Sequence, residues 1–370
     1  AGHHGSHGQS NHAPTLQQTG GQPIGAPPPD KGKESIENGN ARVVVVGGAE
    51  APITPEVIDG FFAISALSDD KRMLELQSQL NEPSNKPNQR KACRPFGDNI
   101  GMVMGESAQF VILMDEDLAL ELGSKIYASV QAVASHADGF KKSISGPGIG
   151  NYITLAKCVA EASQQLSSKS LKNETYVHAH GTGTPANRTS ESHVLDEIAK
   201  VFGIKSWPVT PIKSYLGHSM AVAAGDQLNC VLGTWNNGII PRIHSITEVA
   251  EDVFNDNLNF LTEDRVEDPN FYKGAFLNAK GFGGNNASAL ILGPEFTFSQ
   301  IKKRYTKKAL KLYEQKLENT RKSALKYNEN ASKGVYKTIY KFNHEVLEGM
   351  EDLEITKEKI KLKGYKKAIN

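Results

Sequence analysis

Cysteine is scarce in this chain. Its three residues, Cys93, Cys158 and Cys230, are widely spaced and odd in number. That excludes a disulfide framework and offers no metal-ligand spacing, and a reducing cytosol is the compartment it fits. Long apolar runs are missing as well. The longest, such as Val43–Val46 and Phe110–Met114, are far too short to span a bilayer. No charged start followed by an apolar stretch appears, so no secretory signal is expected. Net charge is lacking too: 41 acids against 42 bases leave nothing global to attract nucleic acid or a membrane surface. What remains is a cytoplasmic globular protein whose 370 residues can bury at least one sizeable core.

The balance of charge hides an asymmetry. From Glu295 onward Lys and Arg outnumber acids by about two to one, so a basic tail follows a slightly acidic body. Residues 1–34 are rich in Gly, Pro, Gln, Ser and His with almost no large apolar side chain, and are expected to be unstructured. His3, His4, His7 and His12 would bind a metal ion only as an expression tag does.

Order is expected from Ser35. Ile36–Gly39 reads as the last turn of a helix closed by glycine. Ala41–Val46 and Ala108–Met114 read as buried strands, and Ile126–Ala132 as a third. Pro55–Leu67 is helix-like, Gln77–Lys91 a loop, and Ile153–Leu166 an amphipathic helix. Thr175–Ala179 is a short strand, Glu191–Phe202 a helix, Val209–Ile212 a strand, and His218–Trp235 a helix rich in small residues. Ala275–Ala279 and Ala287–Leu292 close the pattern. Strands alternating with helices define an α/β layered domain over residues 35–294. Beyond Phe298, apolar residues at three- and four-residue steps predict a long amphipathic helix within a basic extension, 295–370. Its plainer role is packing along the main domain; the alternative is a docking surface for a partner.

Two histidine motifs carry the chemistry. Strand-end His180 is followed by Gly-Thr-Gly-Thr-Pro, where glycines let a bound chain approach and the hydroxyls of Thr182 and Thr184 can bond an amide-rich arm. Lys213 follows a second strand and His218 opens the next helix, so the histidines can converge at one sheet edge. Gly281-Phe282-Gly283-Gly284-Asn285-Asn286 is a glycine-rich turn whose backbone N–H groups can hold an oxyanion. Each signal alone has an ordinary structural reading. His178 and His180 as a metal pair lack an acidic or cysteine partner at a familiar spacing, so no metal is expected.

Taken in order, these motifs resemble the β-ketoacyl-acyl-carrier-protein synthases of the thiolase-like superfamily. The resemblance runs from about Ser35 to Pro294 through Ala41–Glu50, Cys93-Arg94-Pro95-Phe96, Gly105-Glu106-Ser107, His180–Pro185, Lys213–His218 and Gly281–Asn286. Within the family the chain is similar to the long-form bacterial elongating members. The resemblance implies a layered αβαβα fold, here with most of the first half missing. It implies decarboxylative Claisen condensation of malonyl carrier protein with an acyl thioester in fatty-acid biosynthesis. His180 and His218 would stabilise the enolate, Lys213 would supply charge and hold the histidines, and Glu191 would pair with Lys213. Phe282, with Gly283 and Gly284, would form gate and oxyanion hole, and Thr182 and Thr184 would bind phosphopantetheine. That arm arrives on carrier protein or coenzyme A, so no resident cofactor is implied; the partners are acyl carrier protein, an acyl donor and a second copy of the chain.

One element is absent. In the family the nucleophilic cysteine opens the helix before the strand matching Ala41–Val46, and no cysteine lies there. Arg188 stands where the family commonly has aspartate, and is expected to alter pairing near Glu191. Two alternatives therefore stand beside the synthase: a remnant that only decarboxylates, and a non-catalytic subunit or module that binds carrier protein.

Overall fold

The structure, a computed structural model, describes residues 29–139, 148–335 and 349–363. The four tag-like histidines, and the expected disorder of residues 1–28, lie outside the described residues. Two compact units emerge, residues 1–317 and 318–370.

Among the described residues the first unit opens with helix α1 (Pro29–Glu37), so residues 29–34 are helical rather than unstructured. The expected glycine closure is present: Gly39 takes φ 72° and its N–H donates to Ile36 O at 3.0 Å. Strand β1 (Val43–Glu50), helix α2 (Pro55–Ala63) and helix α3 (Asp70–Gln79) follow. Helix α3 was not expected; Asp69 caps it by accepting from Arg72 N–H at 2.9 Å. Strand β2 (Ser107–Met114) runs back antiparallel to β1, pairing Val43 with Met114 and Val46 with Val111. The reading of β1 and β2 as fully buried strands is corrected here. They form a two-stranded ribbon in which Val44 and Val46 are buried while Val45 (62 % exposed) and Ile112 (64 %) face outward. A run of four valines carries no alternation, so sequence alone could not separate the two faces. Helix α1 covers the inner face closely, because a side chain at Gly32 would meet Val46 at 2.6 Å.

Helix α4 (Glu116–Leu122) ends at Gly123, and strand β3 (Ser129–Ala137) opens the main sheet, three residues later than expected. Then come α5 (Ile149–Gln165), α6 (Ser168–Asn173), β4 (Thr175–His178), α7 (Pro185–Phe202), β5 (Trp207–Thr210), α8 (Lys213–Leu216) and α9 (Ala223–Asn237). Short strands β6 (Ile239–Ile240), β7 (Leu258–Phe260) and β8 (Arg265–Val266) precede the long pair β9 (Gly274–Gly281) and β10 (Asn285–Leu292). The six-stranded sheet has the order β3-β10-β9-β4-β5-β7, parallel from β9 through β7 and antiparallel on the β10 side.

Alternation along these strands builds two cores. Val177, Phe276, Leu290 and Leu292 face α5 and α7, joining Leu155, Val159, Leu195 and Ile198. Tyr176, Leu277, Ala289 and Ile291 face α9, joining Leu228, Val231 and Trp235. Val111 of the ribbon packs on this second cluster, so α9 lies between the main sheet and the ribbon. The layers therefore run helix, sheet, helix, ribbon.

Two helices complete the unit, α10 (Pro294–Arg304) and the start of α11 (Lys307–Ser332). Ile301 and Tyr313 are buried with Leu120, and Tyr313 Oη donates to Ser124 O at 3.0 Å. Arg304 Nε donates to Glu116 at 2.9 Å. The plainer expectation for the tail holds up to residue 317: it packs along the domain, on α4. In the second unit the described elements are the rest of α11, a 3-10 turn (Met350–Asp352) and a hairpin of β11 (Leu353–Ile355) and β12 (Ile360–Leu362). No helix among the described residues is long and apolar enough to cross a membrane.

Candidate active site

Parallel pairing decides where the motifs meet. Because β4, β5 and β9 run the same way, the residues after each strand emerge at one sheet edge. Those residues are His180 after β4, Lys213 and His218 after β5, and Phe282 after β9. The rings of His180 and His218 have centroids 5.2 Å apart at an interplanar angle of 82°. Both are 4 % exposed.

The hydrogen bonds fix their protonation. Lys213 Nζ donates to His180 O at 2.7 Å and lies 3.4 Å from His180 Nδ1. An ammonium can only donate, so His180 Nδ1 is an acceptor and its proton sits on Nε2. His218 Nδ1 accepts from Met220 N–H at 3.1 Å, which likewise places the proton on Nε2. Burial, reinforced by the Lys213 charge, holds both imidazoles well below the usual histidine range. Two neutral rings thus each keep an Nε2–H. Lys213 itself is 2 % exposed, and burial pulls it from 10.5 to about 8.

Glu191 departs from expectation. It makes no ion pair with Lys213. Its fully buried carboxylate instead accepts four N–H bonds, from the backbone of His180 (2.7 Å) and Gly181 (2.8 Å) and from the amides of Asn187 and Asn278 (both 2.8 Å). The negative charge still favours the protonated lysine at a distance. Glu191 therefore brackets the turn after β4, and its neighbours satisfy it without a cation. Arg188 is also corrected: it makes a two-pronged contact with Asp252 at 2.8 and 3.0 Å and reaches Gly97 O, away from Glu191.

Thr182 and Thr184 come together, their hydroxyl oxygens 2.9 Å apart. Phe282, Gly283 and Gly284 form a tight, non-helical turn between β9 and β10, with both glycines at positive φ (78° and 82°). The Phe282 ring lies 5.8 Å from that of Phe61. Two site residues escaped the sequence reading, Asn278 and Lys280 on β9; both are buried, and Lys280 Nζ donates to Ser190 Oγ at 3.0 Å. Their signal was two polar residues, two apart, in an otherwise apolar strand. His178 faces the core; neither ring nitrogen has a partner, and burial lowers it to about 3.

None of the three thiols is arranged as a nucleophile. Burial pushes Cys93, Cys158 and Cys230 each up to about 12. Cys93 Sγ rests 3.7 Å from Thr182 O, and Cys158 Sγ 3.3 Å from Ser288 O.

A mixed sheet with helices on both faces, carrying paired strand-end histidines and a shared lysine, defines the class: a thiolase-like fold of the condensing-enzyme kind. The chain belongs to the β-ketoacyl synthase family, whose N-terminal domain matches residues 32–119 and whose C-terminal domain matches residues 127–247. It is 46% identical over 291 residues to the β-ketoacyl-[acyl-carrier-protein] synthase FabY of Pseudomonas aeruginosa, covering 79% of this chain and 45% of that protein. A 3-oxoacyl-[acyl-carrier-protein] synthase 2 of Staphylococcus aureus is 28% identical over 257 residues, 68% of this chain and 56% of its own length. The crystal structure of the P. aeruginosa ketosynthase FabY matches with a TM-score of 0.84 and 42% identity, covering 92% of this chain and 52% of that one. A type II polyketide ketosynthase in complex with its acyl-carrier protein shares the fold, with a TM-score of 0.59 at 22% identity over 71% of this chain and 59% of that one. The chain spans about half the length of the curated relatives it matches.

Proposed function

We propose that this chain carries the condensation site of a β-ketoacyl-acyl-carrier-protein synthase, an acyltransferase of fatty-acid biosynthesis. The observation that carries the reading is the histidine pair: two buried, neutral imidazoles whose Nδ1 atoms are both occupied, leaving two Nε2–H donors 5.2 Å apart by ring centroid. A malonyl thioester oxygen accepting from both would be stabilised as it becomes an enolate oxygen. The bond to the carboxylate breaks, carbon dioxide leaves, and the electron pair stays on the α-carbon. That carbon attacks the acyl thioester carbonyl; a carbon–carbon bond forms, the carbon–sulfur bond breaks, and the thiolate that carried the acyl group departs. Burial, with the Lys213 charge added to it, keeps both rings from accepting a proton, and this matters because an imidazolium would protonate the enolate instead of only bonding it. Thr182 and Thr184 serve as the hydroxyl contacts for the pantetheine arm, and Phe282 as the gate. Carrier protein as donor partner is supported by the names of the relatives.

The test is carbon dioxide release from malonyl carrier protein. His180→Ala and His218→Ala should each lower the rate by about 100- to 1,000-fold, the usual cost of losing one oxyanion donor. A folded wild-type chain that releases none overturns the reading.

A second reading, decarboxylation without acyl transfer, is favoured by the state of the thiols, all three pushed to about 12. Incubation with an acyl thioester followed by intact-mass measurement separates the two. An added acyl group supports the full synthase; its absence beside active decarboxylation supports the second.

A further inference from the structure

Two adjacent residues on the first turn of α9 are buried, polar and unused by the chemistry above: Asp226, 4 % exposed, and Gln227, 1 % exposed. Neighbouring helix positions point about 100° apart, so one turn can reach two different segments. Asp226 accepts from Ser219 Oγ at 2.5 Å, and Ser219 directly follows His218. The same carboxylate accepts from Ser107 Oγ at 2.6 Å and Gln109 Nε2 at 3.1 Å, on β2. Just before β2, Val103 O accepts from His218 N–H at 2.7 Å and Gly105 N–H donates to His218 O at 2.9 Å. His218 is therefore strapped to residues 103–105, and both ends of that strap, Ser107 and Ser219, are tied to Asp226.

Gln227 does the corresponding work for the other ring. Its Nε2 donates to Ala179 O at 2.8 Å, with Asn278 O at 3.0 Å and His178 O at 3.3 Å around the same nitrogen. Ala179 directly precedes His180, and its N–H is held on the other side by Thr210 O at 2.9 Å. The end of β4 and the interior of β9 are thus pinned to α9 at the point where His180 leaves the sheet.

We propose that Asp226 and Gln227 are positioning residues that together set the spacing of the two histidine rings, Asp226 through the His218 segment and Gln227 through the end of β4. Neither touches the reacting atoms. The proposal rests on the reading of the pair as a decarboxylation site for its kinetic arm only, since ring placement can be observed without substrate.

The experiment compares wild type with Asp226→Asn and Gln227→Leu in two measurements. The first is the ¹⁵N spectrum of histidine in the free chain, assigned with His180→Gln and His218→Gln. Wild type should show both rings as Nε2–H tautomers; Gln227→Leu should move mainly the His180 signals and Asp226→Asn mainly those of His218. The second is malonyl carrier protein decarboxylation, where kcat should fall about 10- to 100-fold with KM within about twofold, the pattern of a misplaced group. Because both residues act on one spacing, the double variant should lose less than the product of the single losses. Unmoved histidine signals with unchanged kcat, in variants with the wild-type urea midpoint, overturn the proposal. Should Gln227→Leu fail to fold, the more conservative Asp226→Asn decides alone. A silent wild type whose ring signals still move as described supports the proposal and removes the decarboxylation reading instead.

Discussion

Replacing Lys213 by methionine removes a buried ammonium while keeping a stem of similar reach. In the folded chain burial lowers Lys213 from 10.5 to about 8, offset in part by Glu191, Cys93 and Asp226. At about 1.4 kcal/mol per pH unit this displacement is worth about 3 kcal/mol, and its sign is a penalty. Below pH 8 both folded and unfolded chains hold the proton, so the folded state bears the whole cost of the buried charge. Between about 8 and 10.5 the unfolded chain still binds the proton and the folded chain does not, so wild-type stability rises with pH through this window. Lys213→Met lacks that rise. It also loses the 2.7 Å bond to His180 O, a charge-assisted contact worth about 1.5–3 kcal/mol. At pH 7 the relieved burial and the lost bond nearly cancel, and the two proteins should agree within about 2 kcal/mol. Near pH 10 wild type should lead by about 2–3 kcal/mol more than at pH 7. Urea unfolding followed by the fluorescence of buried Trp207 and Trp235 reads both values. A gap between wild type and variant that stays constant from pH 7 to pH 10 refutes the reasoning.

Two further outcomes follow from packing. Alkylation of the native chain by iodoacetamide at pH 7.5 should run roughly a thousandfold slower than in urea, since thiols raised to about 12 hold almost no thiolate; one cysteine modified within minutes would contradict this. Gly123→Ala should cost about 2–4 kcal/mol and expose the start of α11 to trypsin, because φ is +66° and the new Cβ would lie 2.5 Å from the Lys316 backbone. Gly39→Ala, at φ +72° with nothing within 4 Å, is its control and should cost only about 1 kcal/mol.

The parts of the site legible in the sequence are those set by local chemistry. His180 and His218 follow parallel strands, and strand ends share an edge whatever lies between them. The pairing of Glu191 with Lys213 that the resemblance implies does not form, because three of the four donors to Glu191 are two backbone amides and Asn278, a residue 87 positions away. Asp226 and Gln227 were passed over inside a small-residue helix, although two polar residues between Gly225 and Leu228 are out of place on a buried turn. The valine-rich ribbon shows the same limit in reverse: apolarity marked β1 as a strand, yet burial of each valine depends on β2 and α1, which only the assembled fold supplies.

The bracket around Glu191 bears on how firmly the site is held. Its carboxylate depends on Asn278, and Asn278 in turn accepts from Asn151, 127 residues earlier. With β9 in place beside β4 the buried carboxylate has its fourth donor, so the turn holding His180 is complete only in the assembled sheet. The His180 and Gly181 amides, both donated to that buried carboxylate, should therefore exchange with solvent only when the central sheet opens, so native-state hydrogen exchange should give the site the stability of the domain rather than that of a surface loop.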